Sequence, residues 1–471
     1  MRIAIIGAGP AGLTAAYKLT KNNYKVDVYE TESHVGGLSA SFSLWNQTVD
    51  IGPHRYFSND KRVNELWLEV VGDDYNMVNR LTRIFYKKKF FYYPIVLFNA
   101  LVNLGLIEAA RCLFSYIVEL LHPVKQDGSF ENWVRGRFGK RLYEIFFKTY
   151  SEKLWGIPCK QLDSDFASQR IKKLSLYEAI ENALFPKKTN KHATLVDRFA
   201  YPINGSGIVY KKMADYIVKQ GNNIFLNTPV KRVCTNKLQV FGLELFIGKT
   251  MEYDHVISSM PYTILVKHLV EAPDNIKVLA SKLTYRNTII VYLLLNSTET
   301  FPDNWIYVHS KELSMGRITN FRNWDRSLFG NEDKTILALE YWCNYKDPLW
   351  ESSDSELILM ASSEMVKTGL IKSETIEKGH VLRLNKSYPV YYKGYKEVLA
   401  PVEEFTNSIS GLSAIGRNGS FKYNNQDHSI LMGLLAAENI IENKKFDLSK
   451  VNSDYSCYQE SNKITETGLH N

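Results

Sequence analysis

The chain has 471 residues, 45% of them hydrophobic and 23% charged, with 27 Gly and 14 Pro. These proportions exclude a disordered, collagen-like or repeat-dominated protein and predict two or three folding units with ample core for a buried cofactor. The net charge of +8 is mild and lacks the Lys/Arg blocks of a nucleic-acid arm, so it suits small anionic substrates at least as well. The five cysteines (Cys112, Cys159, Cys234, Cys343 and Cys457) are odd in number and form no CxxC pair. They predict a reduced, cytoplasmic protein without a disulfide framework or zinc ribbon.

In chain order, Ile3 to Ile6 reads as a short buried parallel strand. It enters Gly7-Ala8-Gly9-Pro10-Ala11-Gly12 and then a helical stretch from Leu13 to Leu19 with Leu13, Ala16 and Tyr17 on one face. Gly7 serves a tight turn, Gly9 lets a pyrophosphate approach the backbone, and Gly12 allows close helix–strand packing. The phosphates are expected at the positive helix end, where free N–H groups point outward. A second strand, Lys25 to Tyr29, ends at Glu30, an acid placed to accept hydrogen bonds from a ribose diol. Strand, glycine turn, helix, strand and acid in this order predict a dinucleotide site. The doublet Gly36-Gly37 before Leu38 resembles the extended FAD-binding motif of glutathione-reductase-type flavoproteins, which selects FAD over NAD.

The segment Asp50 to Ser58 places His54 after a glycine-containing strand exit, and Arg83 to Pro94, with its Lys87-Lys88-Lys89 turn, resembles a hairpin that follows the histidine loop in the UDP-galactopyranose mutases. Pro94 to His122 is apolar but broken by Asn99, Asn103, Glu108, Arg111 and Glu119, so it fails as a spanning helix. Two helices packed in a substrate domain is the expectation, with interfacial docking the disfavoured rival. Asn204-Gly205-Ser206-Gly207 opens a helical stretch to Val218, followed by Asn223 to Asn227 and Val230. Tyr253 to Pro261 reads as a strand returning to the nucleotide domain, and Thr288 to Leu295 as a core strand. Gly416-Arg417 precedes a final helix from Ser429 to Ile441, where Asp427 is expected as the cap, and Phe446 to Asn471 reads as a frayed tail. No HExxH, GxSxG or Walker loop occurs, and no metal site is expected.

This order of returns resembles the superfamily that holds amine oxidases, protoporphyrinogen oxidases and sugar mutases. The fold implied is α/β: a glutathione-reductase-type Rossmann-like FAD-binding domain with an inserted α-helical and mixed-sheet substrate domain. Its parts are 1–80, 201–265 and 401–445 for FAD, 81–200 (mainly helical) and 266–400 (mixed sheet) for substrate, and a tail at 446–471. Within the superfamily the closer resemblance is to UDP-galactopyranose mutases. It rests on the Gly-x-His loop at Gly52-Pro53-His54, the run from Phe138 to Gly156 with Gln169-Arg170 after it, Gly316-Arg317-Ile318, Tyr388-Pro389-Val390, and Gly416 to Ser429. Gly52-Pro53 and Arg55-Tyr56 depart from that family's pattern.

The resemblance implies interconversion of pyranose and furanose forms of a nucleotide sugar through an adduct at N5 of reduced flavin. His54, Arg170, Arg317, Tyr388 and Tyr423 are the implied reaction-site residues, with the arginines and tyrosines on the substrate diphosphate. The implied cofactor contacts are Gly7, Gly9, Pro10, Ala11, Gly12, Glu30, Gly36, Gly37, Leu38, His54, Val230, Gly416, Arg417, Asn425, Gln426, Asp427 and Ser429. Arg286 resembles a further arginine of bacterial mutases but opens the core strand, and Trp155 reads as a buried wall. The competing expectation is a two-electron oxidoreductase of the amine oxidase or protoporphyrinogen oxidase kind, and a non-catalytic FAD-binding module is the third.

Overall fold

The computed structural model describes residues 1–93, 97–166, 198–452 and 463–470. Its first layer is a five-stranded parallel sheet in the order 412–414, 255–258, 2–6, 25–29, 223–225. The central strand Arg2–Ile6 alternates its side chains between two cores. Ile3 and Ile5 enter one beneath the Pro10–Lys21 helix, while Ala4 and Ile6 enter the other with Tyr253 and Val256. The Pro10–Lys21 helix packs against the final helix, Gln426–Ile441, at a separation that only Gly433 permits, because a Cβ there would meet the Ala11 carbonyl. The final helix starts three residues earlier than expected. Its cap is Asn425, with His428 closing the box from the backbone N–H of Asn425, and Asp427 sits in the first turn.

The second layer is a seven-stranded sheet in the order 376–389, 285–295, 335–343, 317–320, 305–308, 82–86, 89–92. Only the 305–308 and 82–86 pair runs parallel. The hairpin at 82–92, from the segment expected to be mainly helical, therefore belongs to this sheet. Helices Leu97–Leu104, Leu106–Leu121, Phe130–Leu142 and Thr149–Trp155 follow, with a π-helical turn at Tyr143–Lys148. Gly139 kinks this run with φ of 77°, and a Cβ there would press on the Tyr116 backbone at 2.8 Å.

The end of the chain departs from the expected frayed tail. Lys463–Thr465 and Gly468–His470 pair as a hairpin, and the Thr465 carbonyl accepts from the Tyr75 hydroxyl at 2.6 Å. Short polar strands carry little periodicity, so the pairing was invisible in the local pattern.

Candidate active site

The glycine turn lies where the first strand meets the first helix. Gly7, with φ of 96°, takes a backbone conformation that disfavours a side chain, and its N–H donates to the Tyr29 carbonyl at 2.8 Å. A Cβ on Gly12 would collide with the Gly7 carbonyl, so Gly12 closes the turn rather than lining the cavity. Gly9 caps the helix, Pro10 occupies its first turn, and no acid is present there to compete for an anion. The Gly36-Gly37 doublet folds over this turn. The Gly36 N–H donates to the Ala8 carbonyl at 2.8 Å, and a Cβ on Gly37 would stand 3.1 Å from the Gly9 Cα. Glu30 accepts from the Ala8 N–H at 2.6 Å and from the Glu32 N–H at 3.0 Å, keeping one lone pair spare on each oxygen.

These elements wall one end of a cavity of about 490 Å³. Gly7, Gly9, Pro10, Ala11, Glu30, Gly37, Leu38, His54, Val230, Gly416, Arg417, Asn425, Gln426, Asp427 and Ser429 all line it; Gly36 shapes the loop from behind. Beside the start of the final helix, the buried Gln426 Nε2 and Asp427 Oδ1 make no hydrogen bond among the described residues, the His428 Nδ1 that stands 3.3 Å from Asp427 Oδ1 being itself an acceptor from the Asn425 N–H. Glycine turn, helix end, ribose-height acid and orphaned donor–acceptor pair together fit a dinucleotide.

The histidine loop is held from beneath by Asp50. This fully buried carboxylate accepts from the Ser41 hydroxyl at 2.5 Å, the Tyr201 hydroxyl at 2.7 Å and the Ser206 N–H at 3.1 Å. Burial nevertheless pushes its pKa up to about 6. His54 Nε2 lies 2.6 Å from the Ile51 carbonyl, which can only accept, so that nitrogen carries the proton and Nδ1 is left as an acceptor. Burial first, and then the nearby Arg417 and Arg317, lower the His54 pKa to about 4, so the ring is neutral near pH 7.

A smaller cavity of about 110 Å³ adjoins the first, and His54, Arg317, Arg417, Tyr423 and Asn425 line both. Tyr388 lines the smaller one. Arg317 and Glu340 stand opposite each other on neighbouring strands, and the guanidinium donates bidentately at 2.6 and 2.5 Å. Arg317 has its pKa raised well above the usual arginine value, against the opposing effect of burial, by the Glu340 carboxylate. Two N–H bonds are thus committed, and the other three find no acceptor among the described residues. Arg417 donates to the Asn424 and Ser387 carbonyls at 2.8 and 3.1 Å while lying 5.1 Å over the Tyr388 ring and 5.5 Å over the Tyr423 ring. Burial raises the Tyr388 pKa, so its hydroxyl stays a donor at neutral pH.

Arg170 lies outside the described residues. Trp155 is fully buried, as its wall role requires. Arg286 sits away from the cavity: it donates to the Leu154, Lys153 and Trp342 carbonyls at 3.1, 3.2 and 2.7 Å, tying the end of the Thr149–Trp155 helix to the sheet. Sequence reasoning missed Glu340, although a lone acid within the buried strand Thr335–Cys343 was a signal for it. Arg80, Tyr93, Trp305 and Tyr307 also line the cavity, and nothing in their local sequence marks them.

Residues 5–70 match a family model described as an NAD(P)-binding Rossmann-like domain. A solved structure of reduced UDP-galactopyranose mutase superposes with a TM-score of 0.84 at 22% identity, covering 97% of this chain and 98% of that one. The chain has the UDP-galactopyranose mutase fold. The expected Rossmann-like nucleotide domain with an inserted helical and mixed-sheet region is therefore correct. Among curated proteins, a coproporphyrinogen III oxidase of Staphylococcus aureus is 22% identical over 93% of this chain and 98% of its own length. A protein described as a probable UDP-galactopyranose mutase from Klebsiella pneumoniae is 27% identical over 34% of this chain and 42% of its own.

Proposed function

We propose that the protein is an FAD-dependent enzyme that interconverts the pyranose and furanose forms of a nucleotide sugar. One observation carries the reading: a backbone-built dinucleotide cradle opens directly onto a wall of Arg317, Arg417, Tyr388 and Tyr423. FAD suits the cradle because the Gly36-Gly37 doublet closes over the glycine turn, beside the helix end where a diphosphate is favoured. When bound and reduced, the flavin supplies a nucleophilic ring nitrogen for the anomeric carbon of the sugar.

The residues of the chain then have to keep the departing nucleoside diphosphate in place so that it can recombine. Glu340 fixes the orientation of Arg317 in advance, and the remaining N–H groups of that guanidinium meet phosphate oxygens. Tyr388 and Tyr423 donate their hydroxyls to the same diphosphate, and Arg417 adds positive charge while lying over both rings. Arg170 joins this set by resemblance. Neutral His54 offers Nδ1 as an acceptor on the loop between the two cavities.

The test is to reduce purified protein with dithionite without oxygen, supply UDP-galactopyranose and UDP-galactofuranose separately, and follow both by chromatography. Interconversion only in the reduced state is expected. Failure to convert these or any other nucleotide sugar rejects the reading. A second reading, two-electron oxidation of an organic substrate, is favoured by the full-length likeness to a coproporphyrinogen III oxidase, since an arginine wall also suits carboxylates. Substrate-dependent bleaching of the flavin by coproporphyrinogen III, with no nucleotide-sugar turnover, would select it.

A further inference from the structure

The Leu106–Leu121 helix is turned inside out. Leu106, Ile107, Phe114, Leu120 and Leu121 are 87%, 74%, 69%, 56% and 71% exposed, and Val102 on the preceding helix is 61% exposed. The acids and the serine of the same helix point inward, and its one arginine, Arg111, stays exposed. Glu108 pairs with Arg141 at 2.5 Å, buried Glu119 pairs with Arg135 at 3.1 Å, and the Ser115 hydroxyl accepts from the Arg141 N–H at 3.1 Å. A helix on a water-facing surface has the opposite arrangement, and a contiguous apolar face of this kind marks a docking surface. Among the described residues nothing in the chain covers it.

Charge identifies what does. The exposed Lys87-Lys88-Lys89 turn stands at one end of the face, where the Lys89 ammonium donates to the Asn103 carbonyl at 2.6 Å beside the joint between the two helices. Exposed Arg111 and Lys125 follow along the helix and past its end. Of the acids nearby, Glu108 is held between Arg141 and Arg111, Glu119 pairs with Arg135, Glu144 stands 3.6 Å from Arg141 and Asp127 pairs with Lys393, which leaves the lysine turn and Lys125 as the net charge of the rim. A second copy of the chain would bring cationic rim against cationic rim, whereas an anionic lipid surface complements both the apolar face and its rim. The helix has 16 residues, about 24 Å at 1.5 Å per residue, too short for a hydrocarbon core of about 30 Å. Among the described residues no helix is long and apolar enough to cross a membrane.

We propose that this face seats the protein on an anionic bilayer, with the Leu106–Leu121 helix lying in the interface plane. The proposal is independent of the reaction catalysed. The FAD-loaded full chain is floated with vesicles of phosphatidylcholine alone and of phosphatidylcholine with phosphatidylglycerol, with sedimentation velocity in parallel. Binding to the anionic vesicles is expected to be at least roughly tenfold stronger and to weaken with salt. A Phe114→Glu, Leu121→Glu double variant is expected to lose roughly tenfold or more, and Lys87→Glu, Lys88→Glu to lose only the anionic preference. Both double variants alter exposed positions, and circular dichroism with thermal melting checks that they are folded. Equal vesicle binding by the parent and the Phe114→Glu, Leu121→Glu variant overturns the proposal, as does binding indifferent to lipid charge. Self-association without vesicle binding, abolished by that variant, overturns it in favour of a second copy.

Discussion

The two ends of the cavity are built by different means. The dinucleotide end is backbone: the glycine turn, the doublet over it and a helix terminus, held by contacts such as Gly9 against Gly37. The other end is side chain: Arg317 on Glu340, and Arg417 over the paired rings of Tyr388 and Tyr423. A backbone cradle tolerates almost no added atoms but is indifferent to most side chains around it. A side-chain wall tolerates small volume changes, yet depends on a buried charge being matched. Substitutions at the two ends should therefore fail in different ways.

The largest effect is expected at the backbone end. Gly12→Val drives side-chain atoms into the Gly7 carbonyl, so the flavin absorbance per mole of purified protein should fall at least roughly tenfold. A Gly12→Val protein that stays yellow would break the assignment of the cradle. At the side-chain end, Glu340→Ala leaves the Arg317 charge unmatched where Glu340 itself is only 2% exposed, and should cost about 3–5 kcal/mol in denaturant unfolding. An Arg317→Met, Glu340→Leu pair should regain much of that stability and still fail to bind UDP. That outcome would separate holding the fold from holding the diphosphate.

The third effect is a pH dependence at the junction. The folded-state pKa of His54 is lowered to about 4 from its ordinary 6.5, so the unfolded chain binds the proton more tightly. The His54 contribution to stability is complete above pH 6.5 and is lost as pH falls from there towards 4, by about 2 kcal/mol at pH 5. Asp50, raised to about 6, works in the opposite sense: its contribution is present at low pH and lost as pH rises through 6. Melting His54→Gln at pH 7 and pH 5 should show a smaller loss on acidification than the parent shows; an equal loss would place the titration elsewhere. The smallest effect belongs to Tyr388→Phe and Tyr423→Phe. Each removes one hydroxyl from the wall and should weaken UDP binding by about 1 kcal/mol in calorimetry, without lowering the melting temperature.

The cofactor end was legible because its determinants lie within the first forty residues, in an order that physical rules tie to one geometry. The strand Lys25–Tyr29 forms as read, Glu30 follows it with its carboxylate on the Ala8 N–H, and the doublet folds over the glycine turn. The substrate end was legible only in part. Arg317, Tyr388, Tyr423 and His54 could be named from motifs and line two adjoining cavities, whereas Glu340 needed the register between two strands and Tyr307 the pairing of 305–308 with 82–86. Arg286 shows the converse: a basic residue beside the expected pocket commits Nε and Nη2 to backbone carbonyls of a helix end and the sheet, and its Nη1 stands 3.8 Å from Asp347.

By itself the sequence determined the Rossmann-like nucleotide unit, the succession of returns to it, and an apolar helix pair after the first hairpin. Local periodicity, glycine conformational freedom and short-range spacing are enough to specify these. Tertiary structure alone decided which acid neutralises Arg317, how far Arg286 stands from the chemistry, and which face of the Leu106–Leu121 helix meets solvent. The last could not be read in advance, because an amphipathic pattern has the same period whichever side is buried. Glu108 and Glu119 turned inward only because Arg141 and Arg135, on the next helix, were there to receive them.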